Sequence, residues 1–165
     1  MVRLDEVNAM RVPPLSISGH VIDQTIAFLQ TAGRRDSEGI VLWLGRREAS
    51  RIEVVEAFVP AQTAASHRFR IPPAGMAALM KQLGETGTFV AAQVHSHPEK
   101  AFHSLADDKM AIISHVGACS LVLPYFASST TRINFVEQTA LFCLDDNGVW
   151  AEVREPARSR ILQIR

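Results

Sequence analysis

The sequence predicts an α/β (α+β) domain in which a mixed sheet is flanked by helices. Segments in which apolar residues recur at helical spacing alternate with short apolar runs that are typical of buried strands. This mixture favours a three-layer arrangement, with helices packed on a sheet. The 165 residues are enough for one domain with a sizeable core. We therefore expect residues 1–165 to form a single domain, with its core at about 15–153 and a tail at 154–165.

The first elements follow from local pattern. Residues 12–17 predict an irregular lead and a short edge strand, since proline cannot donate to a ladder. A first helix is expected to begin after Ser18, a suitable N-cap, and to end at Gly33. A polar loop then leads to a buried strand at 40–44, which we expect to form a hairpin with a half-exposed strand at 51–58.

The middle of the chain predicts a second helix and the central strand. Residues 60–68 are expected to form a loop. Pro72 and Pro73 favour a helix start, and Gly84 its end. The apolar stripe of this helix is expected to contain Met76, Leu79, Met80 and Leu83. Residues 89–94 are almost continuously apolar, so we expect a strand that is covered on both faces.

The last third predicts one more helix and several strands. The helix is expected to run from Ser104 to about His115. Strands are then predicted at residues 120–124, 132–136 and 140–144. Asn147 and Gly148 form a turn signal before a further strand at 149–152. The tail indicates either a short helix or disorder.

Composition excludes several classes of function. Lys+Arg and Asp+Glu both total 17, so we expect neither nucleic acid nor a membrane as partner. Cys119 and Cys143 lie in apolar runs without Cys-x-x-Cys spacing, which predicts buried free thiols in a reducing compartment, with a disulfide as the alternative. We find no apolar stretch of signal or membrane-spanning length and expect a cytoplasmic protein.

Two histidines point to a metal site. His95 and His97 stand at i and i+2 of an extended segment, so both side chains project from one face. Imidazole is a common zinc ligand, and a catalytic zinc usually takes three protein ligands. Asp107 is a candidate third ligand, because the intervening loop can fold it back. The alternative is a pair of ordinary polar residues at a strand end, with Ser104-x-x-Asp107 as a helix cap.

The run His95-Ser96-His97-Pro98, a short loop and Ser104-x-x-Asp107 resemble the signature of the JAB/MPN metalloprotease family, whose metal motif is called JAMM. The resemblance covers roughly residues 15–145. It implies a cytidine-deaminase-like three-layer fold. It also implies one Zn²⁺ per chain, held by His95, His97 and Asp107.

The same resemblance implies the catalytic side chains. In the family, the general acid/base is a glutamate at the start of a strand. The run Glu38–Gly45 is similar to that strand, which implies that Glu38 is the general acid/base. The small-residue-then-glycine pair inside the family's run is missing here. Ser104 would help to stabilise the oxyanion. The loop between Pro98 and Ser104 has five residues, one fewer than in many relatives, so Asp108 is an alternative third ligand.

The resemblance also implies a function. JAB/MPN enzymes cut after the C-terminal glycine of ubiquitin-like proteins. The resemblance therefore implies that this chain is a zinc-dependent isopeptidase or processing protease of a compact bacterial, deubiquitinase-like type. E1-like and E2-like conjugation proteins, including those of antiphage systems, are expected partners. The alternatives are a zinc hydrolase acting on a sulfur-carrier conjugate or a small-molecule amide, and a non-catalytic MPN scaffold. The absence of a Cys-x-x-Cys zinc pair argues against a deaminase.

Overall fold

A computed structural model describes residues 11–65, 68–102, 107 and 111–165. Ten strands and four helices are assigned within these residues. The strands are β1 Leu15–Ile17, β2 Ile40–Arg47, β3 Ile52–Phe58, β4 Thr63–Ala65, β5 Arg68–Arg70, β6 Phe89–Ser96, β7 Cys119–Leu123, β8 Ala140–Leu144, β9 Trp150–Val153 and β10 Leu162–Ile164. The helices are α1 Gly19–Gly33, α2 Pro73–Thr86, α3 Phe135–Gln138 and α4 Ala157–Ile161, with a short 3-10 turn at Tyr125–Ala127.

Eight of these strands form one mixed sheet in the order β10-β1-β3-β2-β6-β7-β8-β9. β1 pairs in parallel with both β10 and β3, and β6 pairs in parallel with β7. The neighbours β2 and β6, which carry the candidate site, run antiparallel near the middle of the sheet. The predicted α+β fold, a mixed sheet flanked by helices, is confirmed.

Helix α1 covers one face of the sheet. Its N-cap, Ser18, accepts a hydrogen bond from Val21 N at 3.3 Å, as the sequence predicts. The buried positions of α1 lie on a single stripe that packs on the sheet around Trp43. The indole Nε1 of Trp43 donates to Thr25 Oγ1 of the helix at 2.9 Å, so the polar tip of this buried ring is satisfied.

Helix α2 belongs to the opposite face, where Leu79 is buried with Ile40 and Leu42 of β2. Met80 is 63% exposed, so its predicted place in the apolar stripe is wrong. The helix continues past Gly84 to Thr86 and ends at Gly87, whose φ of 64° provides a left-handed cap. The predicted loop at 60–68 contains β4, which pairs with β5 in a small hairpin.

The structure corrects two strand predictions. β1 is not an edge strand, because the C-terminal tail forms α4 and then β10 on its outer side. The strand predicted at 132–136 is wrong, since residues 132–134 turn into α3. Thr131 N donates to Asn134 Oδ1 at 2.6 Å and Asn134 N donates to Thr131 Oγ1 at 3.3 Å, which favours a turn over a ladder.

The third predicted helix is also corrected at its end. Residues 111–115 are not helical, although Asp107 itself has a helical backbone conformation. The start of this helix at Ser104 lies outside the described residues. Within the described part of the chain, no helix is long and apolar enough to cross a membrane.

Candidate metal centre

The candidate metal centre lies at the end of the central strand β6. His95 is the second-last residue of this strand, and His97 follows it directly. Alternation places both imidazoles on the face opposite α1, where they meet Asp107. His95 Nε2 lies 3.3 Å from Asp107 Oδ1, and His97 Nε2 lies 3.3 Å from Asp107 Oδ2. All three side chains are buried.

This group fits a metal ion. One candidate ligand atom from each of His95, His97 and Asp107 lies within 4.8 Å of the other two. Two atoms that each stand about 2.0–2.1 Å from a tetrahedral ion are about 3.3 Å apart, which matches the imidazole-to-carboxylate distances. Buried His97 Nε2 makes no hydrogen bond with the described residues. A buried polar atom of this kind costs free energy unless another group, such as an ion, satisfies it.

The backbone beside His97 is held by an unusual turn. Residues 125–127 are non-glycine residues in the left-handed region, with φ values of 50°, 54° and 57°. Phe126 N donates to His97 O at 2.7 Å, and Tyr125 N donates to Glu99 O at 2.8 Å. Each such residue costs about 1–3 kcal/mol, so the surrounding contacts must hold the turn in place. The sequence lacks the glycine that would have indicated this geometry.

Glu38 lies next to the candidate ligands. The β2–β6 ladder pairs Ile40 with His95, and continuing this register places Glu38 opposite His97 on the same face. Glu38 is only 4% exposed. Burial raises the pKa of Glu38 to about 7, while nearby His97 lowers that pKa and Asp107 raises it. A carboxyl group with a pKa near 7 is suited to exchange protons at neutral pH.

Two further residues are predicted to act at the centre. Ser104, predicted to assist the oxyanion, and Asp108, the alternative third ligand, lie outside the described residues. Their roles stay predictions. The structure brings Asp107 to the two histidines.

A residue to which the sequence analysis assigned no role lies next to the candidate centre in strand β6. Gln93 precedes His95 by two residues and is buried on the same face. Its Nε2 donates to Ser120 Oγ at 3.1 Å, and its Oε1 accepts from Ile112 N at 3.0 Å. Gln93 therefore ties β6 to β7 and to the segment that follows Asp107. A buried glutamine inside an apolar run is the signal that could have indicated this role.

Two aromatic rings border the histidines. The buried ring of Phe69 lies 5.9 Å from the His95 ring, and Phe102 meets the His97 ring edge-on at 4.6 Å. Phe102 is 45% exposed. It therefore forms an apolar wall between the candidate centre and solvent.

The chain is similar to several known proteins in sequence or in fold. A family model described as prokaryotic homologs of the JAB domain matches residues 20–134. A relative from Sinorhizobium fredii, described as probable metalloprotease y4jG, is 30% identical over 168 residues and is aligned over 99% of both chains. The solution structure of protein DSY2949 from Desulfitobacterium hafniense has a TM-score of 0.62 at 16% identity, covers 92% of this chain and 91% of its own, and is similar in fold. The crystal structure of AF2198, a JAB1/MPN domain protein from Archaeoglobus fulgidus, has a TM-score of 0.48 at 16% identity and covers 92% and 96% of the two chains.

Proposed function

The chain belongs to the prokaryotic homologs of the JAB domain, and from that premise we propose that it is a zinc metallopeptidase that cuts after the C-terminal glycine of a ubiquitin-like protein. The observation that carries the proposal is the buried group of His95, His97 and Asp107 with Glu38 beside it. The description of its relative as a probable metalloprotease supports hydrolysis of a peptide or isopeptide bond.

Zinc is the ion that the donor set favours. Two imidazoles and one carboxylate are a common ligand set of catalytic zinc, which keeps a further position open. His95, His97 and Asp107 would hold one ion per chain. When bound, zinc would supply Lewis-acid activation of the water and of the scissile carbonyl.

Glu38 is the proposed proton carrier. As a water molecule adds to the carbonyl carbon, the carboxylate of Glu38 would accept a proton from it. Glu38 would then give this proton to the nitrogen of the leaving amine as the C–N bond breaks. The products are a free amine and a carboxylic acid, which gives up its own proton to solvent. Such a general acid/base contributes roughly 100- to 10,000-fold to the rate. Ser104 is proposed to donate a hydrogen bond to the oxyanion, a contribution of roughly 100- to 1,000-fold.

The proposed substrate is a ubiquitin-like protein with a glycine-ended tail. Phe102 stands edge-on to His97 and is half-exposed, so a bulky apolar group borders the approach to the centre. An extended tail with little side-chain volume fits beside such a wall. We propose deconjugation or precursor processing in a bacterial cytoplasm, with E1-like and E2-like proteins as partners in a conjugation or antiphage system.

Cleavage of a defined fusion tests the proposal. The zinc-loaded protein is incubated with fusions of bacterial ubiquitin-like proteins to a reporter, and the products are weighed by mass spectrometry. We expect cleavage directly after the terminal glycine and inhibition by metal chelators. Thiol alkylation is expected to have no effect, because Cys119 and Cys143 are both buried. Cleavage that survives chelation but is lost on alkylation would overturn the proposal.

Glu38→Gln separates chemistry from metal binding. Because Glu38 is proposed to carry a proton and not to bind the ion, this variant should keep one zinc per chain and lose roughly 100- to 10,000-fold in kcat. Parental kcat in Glu38→Gln would show that another group carries the proton.

A further inference from the structure

The side chain of Gln62 holds the backbone of β2 at the point where the strand begins. Ile40 N donates to Gln62 Oε1 at 2.9 Å, and Gln62 Nε2 donates to Ile40 O at 3.0 Å. The same Nε2 also donates to Pro60 O at 3.0 Å. One amide group therefore satisfies both backbone groups of Ile40 and a carbonyl of the neighbouring loop.

The side chain of Gln62 takes the place of a backbone partner for Ile40 at the end of the β2–β3 ladder. The β2–β3 ladder pairs Leu42 with Phe58, and continuing the register brings Pro60 opposite Ile40. Proline has no N–H and cannot donate to the Ile40 carbonyl. The carboxamide of Gln62 offers the same donor and acceptor as a peptide unit of a strand. Without it, the N–H and C=O of a fully buried residue would lose their partners.

Ile40, whose backbone is bound by Gln62, lies directly beside the candidate centre. Ile40 is the ladder partner of His95, and Glu38 precedes it by two residues on the same face. On the other side of the strand, Ser96 N donates to Gly39 O at 3.3 Å. The backbone that carries Glu38 is thus held by β6 on one side and by Gln62 on the other.

We propose that Gln62 is a positioning residue that fixes the backbone of Glu38 relative to His95 and His97; this inference rests on the proposed function for its effect on catalysis. Gln62 contacts neither the candidate ligands nor the Glu38 carboxylate in the described contacts, and acts through Ile40. A displacement of about 1 Å in a catalytic group can cost on the order of 100-fold in rate.

Gln62→Met tests the inference, because methionine keeps the length of the side chain and removes its hydrogen bonds. With a fusion that the parent cleaves, we expect kcat to decrease roughly 10- to 100-fold, KM to change by less than about threefold, and zinc to stay at one per chain. The matched control is Gln82→Met. Gln82 is also half-buried, and its amide contacts the carboxylate of Glu56 at 3.0 and 3.1 Å, so its replacement should leave kcat unchanged.

A double-mutant cycle distinguishes positioning from general weakening of the fold. If Gln62 acts through Glu38, then Gln62→Met should have little further effect on kcat in the Glu38→Gln background. A full additional loss in that background, or a parental kcat in Gln62→Met alone, would overturn the inference.

Amide hydrogen exchange tests, without any substrate, whether Gln62 holds the backbone of Ile40. In the metal-free protein, Gln62→Met should speed exchange of the Ile40 amide at least about tenfold and leave the Val94 amide of β6 unchanged. Unchanged exchange at Ile40 would contradict the inference. If the parent cleaves no fusion, the proposed function fails, and exchange at Ile40 still shows whether Gln62 holds this backbone.

Discussion

The two faces of strand β6 are both buried but differ in polarity. On the α1 side, Ala92 and Val94 are part of a continuous apolar core that includes Trp43. On the opposite side, Gln93 and His95 are equally buried but polar. Because side chains alternate along a strand, one short segment supplies both the core and the candidate centre.

The comparison indicates that the α1 side of β6 contributes mainly to stability, whereas the opposite side carries the groups suited to chemistry. Burial of an apolar side chain stabilises the fold by roughly 1.5–3 kcal/mol. Burial of carboxyl and imidazole groups costs free energy unless they are paired or bind an ion. We therefore expect changes on the α1 side to alter stability first, and changes on the metal side to alter metal binding and catalysis first.

The largest effect is expected from Asp107→Asn. This change removes the carboxylate that faces both imidazoles. We expect loss of bound zinc and a decrease in kcat/KM of at least roughly 1,000-fold, since the ion contributes several kcal/mol to transition-state stabilisation. Elemental analysis and the cleavage assay check this, with circular dichroism as control for the fold. If Asp107→Asn kept its zinc while Asp108→Asn lost it, Asp108 would be the third ligand.

Trp43→Ala is the matched change on the α1 side. Trp43 is fully buried, its ring centroid lies 5.9 Å from that of Phe135, and its Nε1 bonds to Thr25. We expect the free energy of unfolding to decrease by about 3–5 kcal/mol in urea denaturation. The folded fraction should still bind one zinc per chain. Loss of zinc from a folded Trp43→Ala protein would show that the two faces are coupled.

A smaller effect is expected in the dependence of folding stability on pH. In the metal-free protein, the pKa of Glu38 is raised to about 7, above its ordinary 4.5, mainly by burial. The folded state then binds more protons than the unfolded state between these two values, so stability should decrease as pH rises from 4.5 to about 7. Glu38→Gln removes this term. At pH 8 its Tm should exceed the parental Tm by several degrees, and at pH 4 the difference should be smaller. An equal difference at both pH values would contradict the raised pKa.

The smallest effect is expected from Cys143→Ala. Cys143 and Cys119 are buried thiols on neighbouring strands of the α1 side, with Sγ atoms 3.5 Å apart. The hydrogen bond with the Cys119 thiol, together with burial, raises the pKa of Cys143, so it should not act as a nucleophile. Replacement should cost about 1 kcal/mol of stability and leave kcat unchanged. A loss of kcat in this variant would show that the α1 side contributes to the reaction.

Several features were predictable because their causes are local. Helix α1 follows from the Ser18 cap and a helical stripe of apolar residues. Burial of both cysteines follows from the apolar runs around them. That His95 and His97 share a face follows from strand alternation alone. Each of these statements depends only on residues close together in the chain, which is where sequence patterns are informative.

The remaining features depend on contacts between distant segments. β10 lies beside β1 because the tail folds back across the sheet, and no periodicity near Leu162 indicates that pairing. Gln62 meets Ile40 because Pro60 interrupts the β3 ladder. The turn at 125–127 adopts left-handed backbone without glycine, since packing compensates for its local cost. The sequence determined which residue types are present and on which face they lie, and only tertiary packing decided which of them meet.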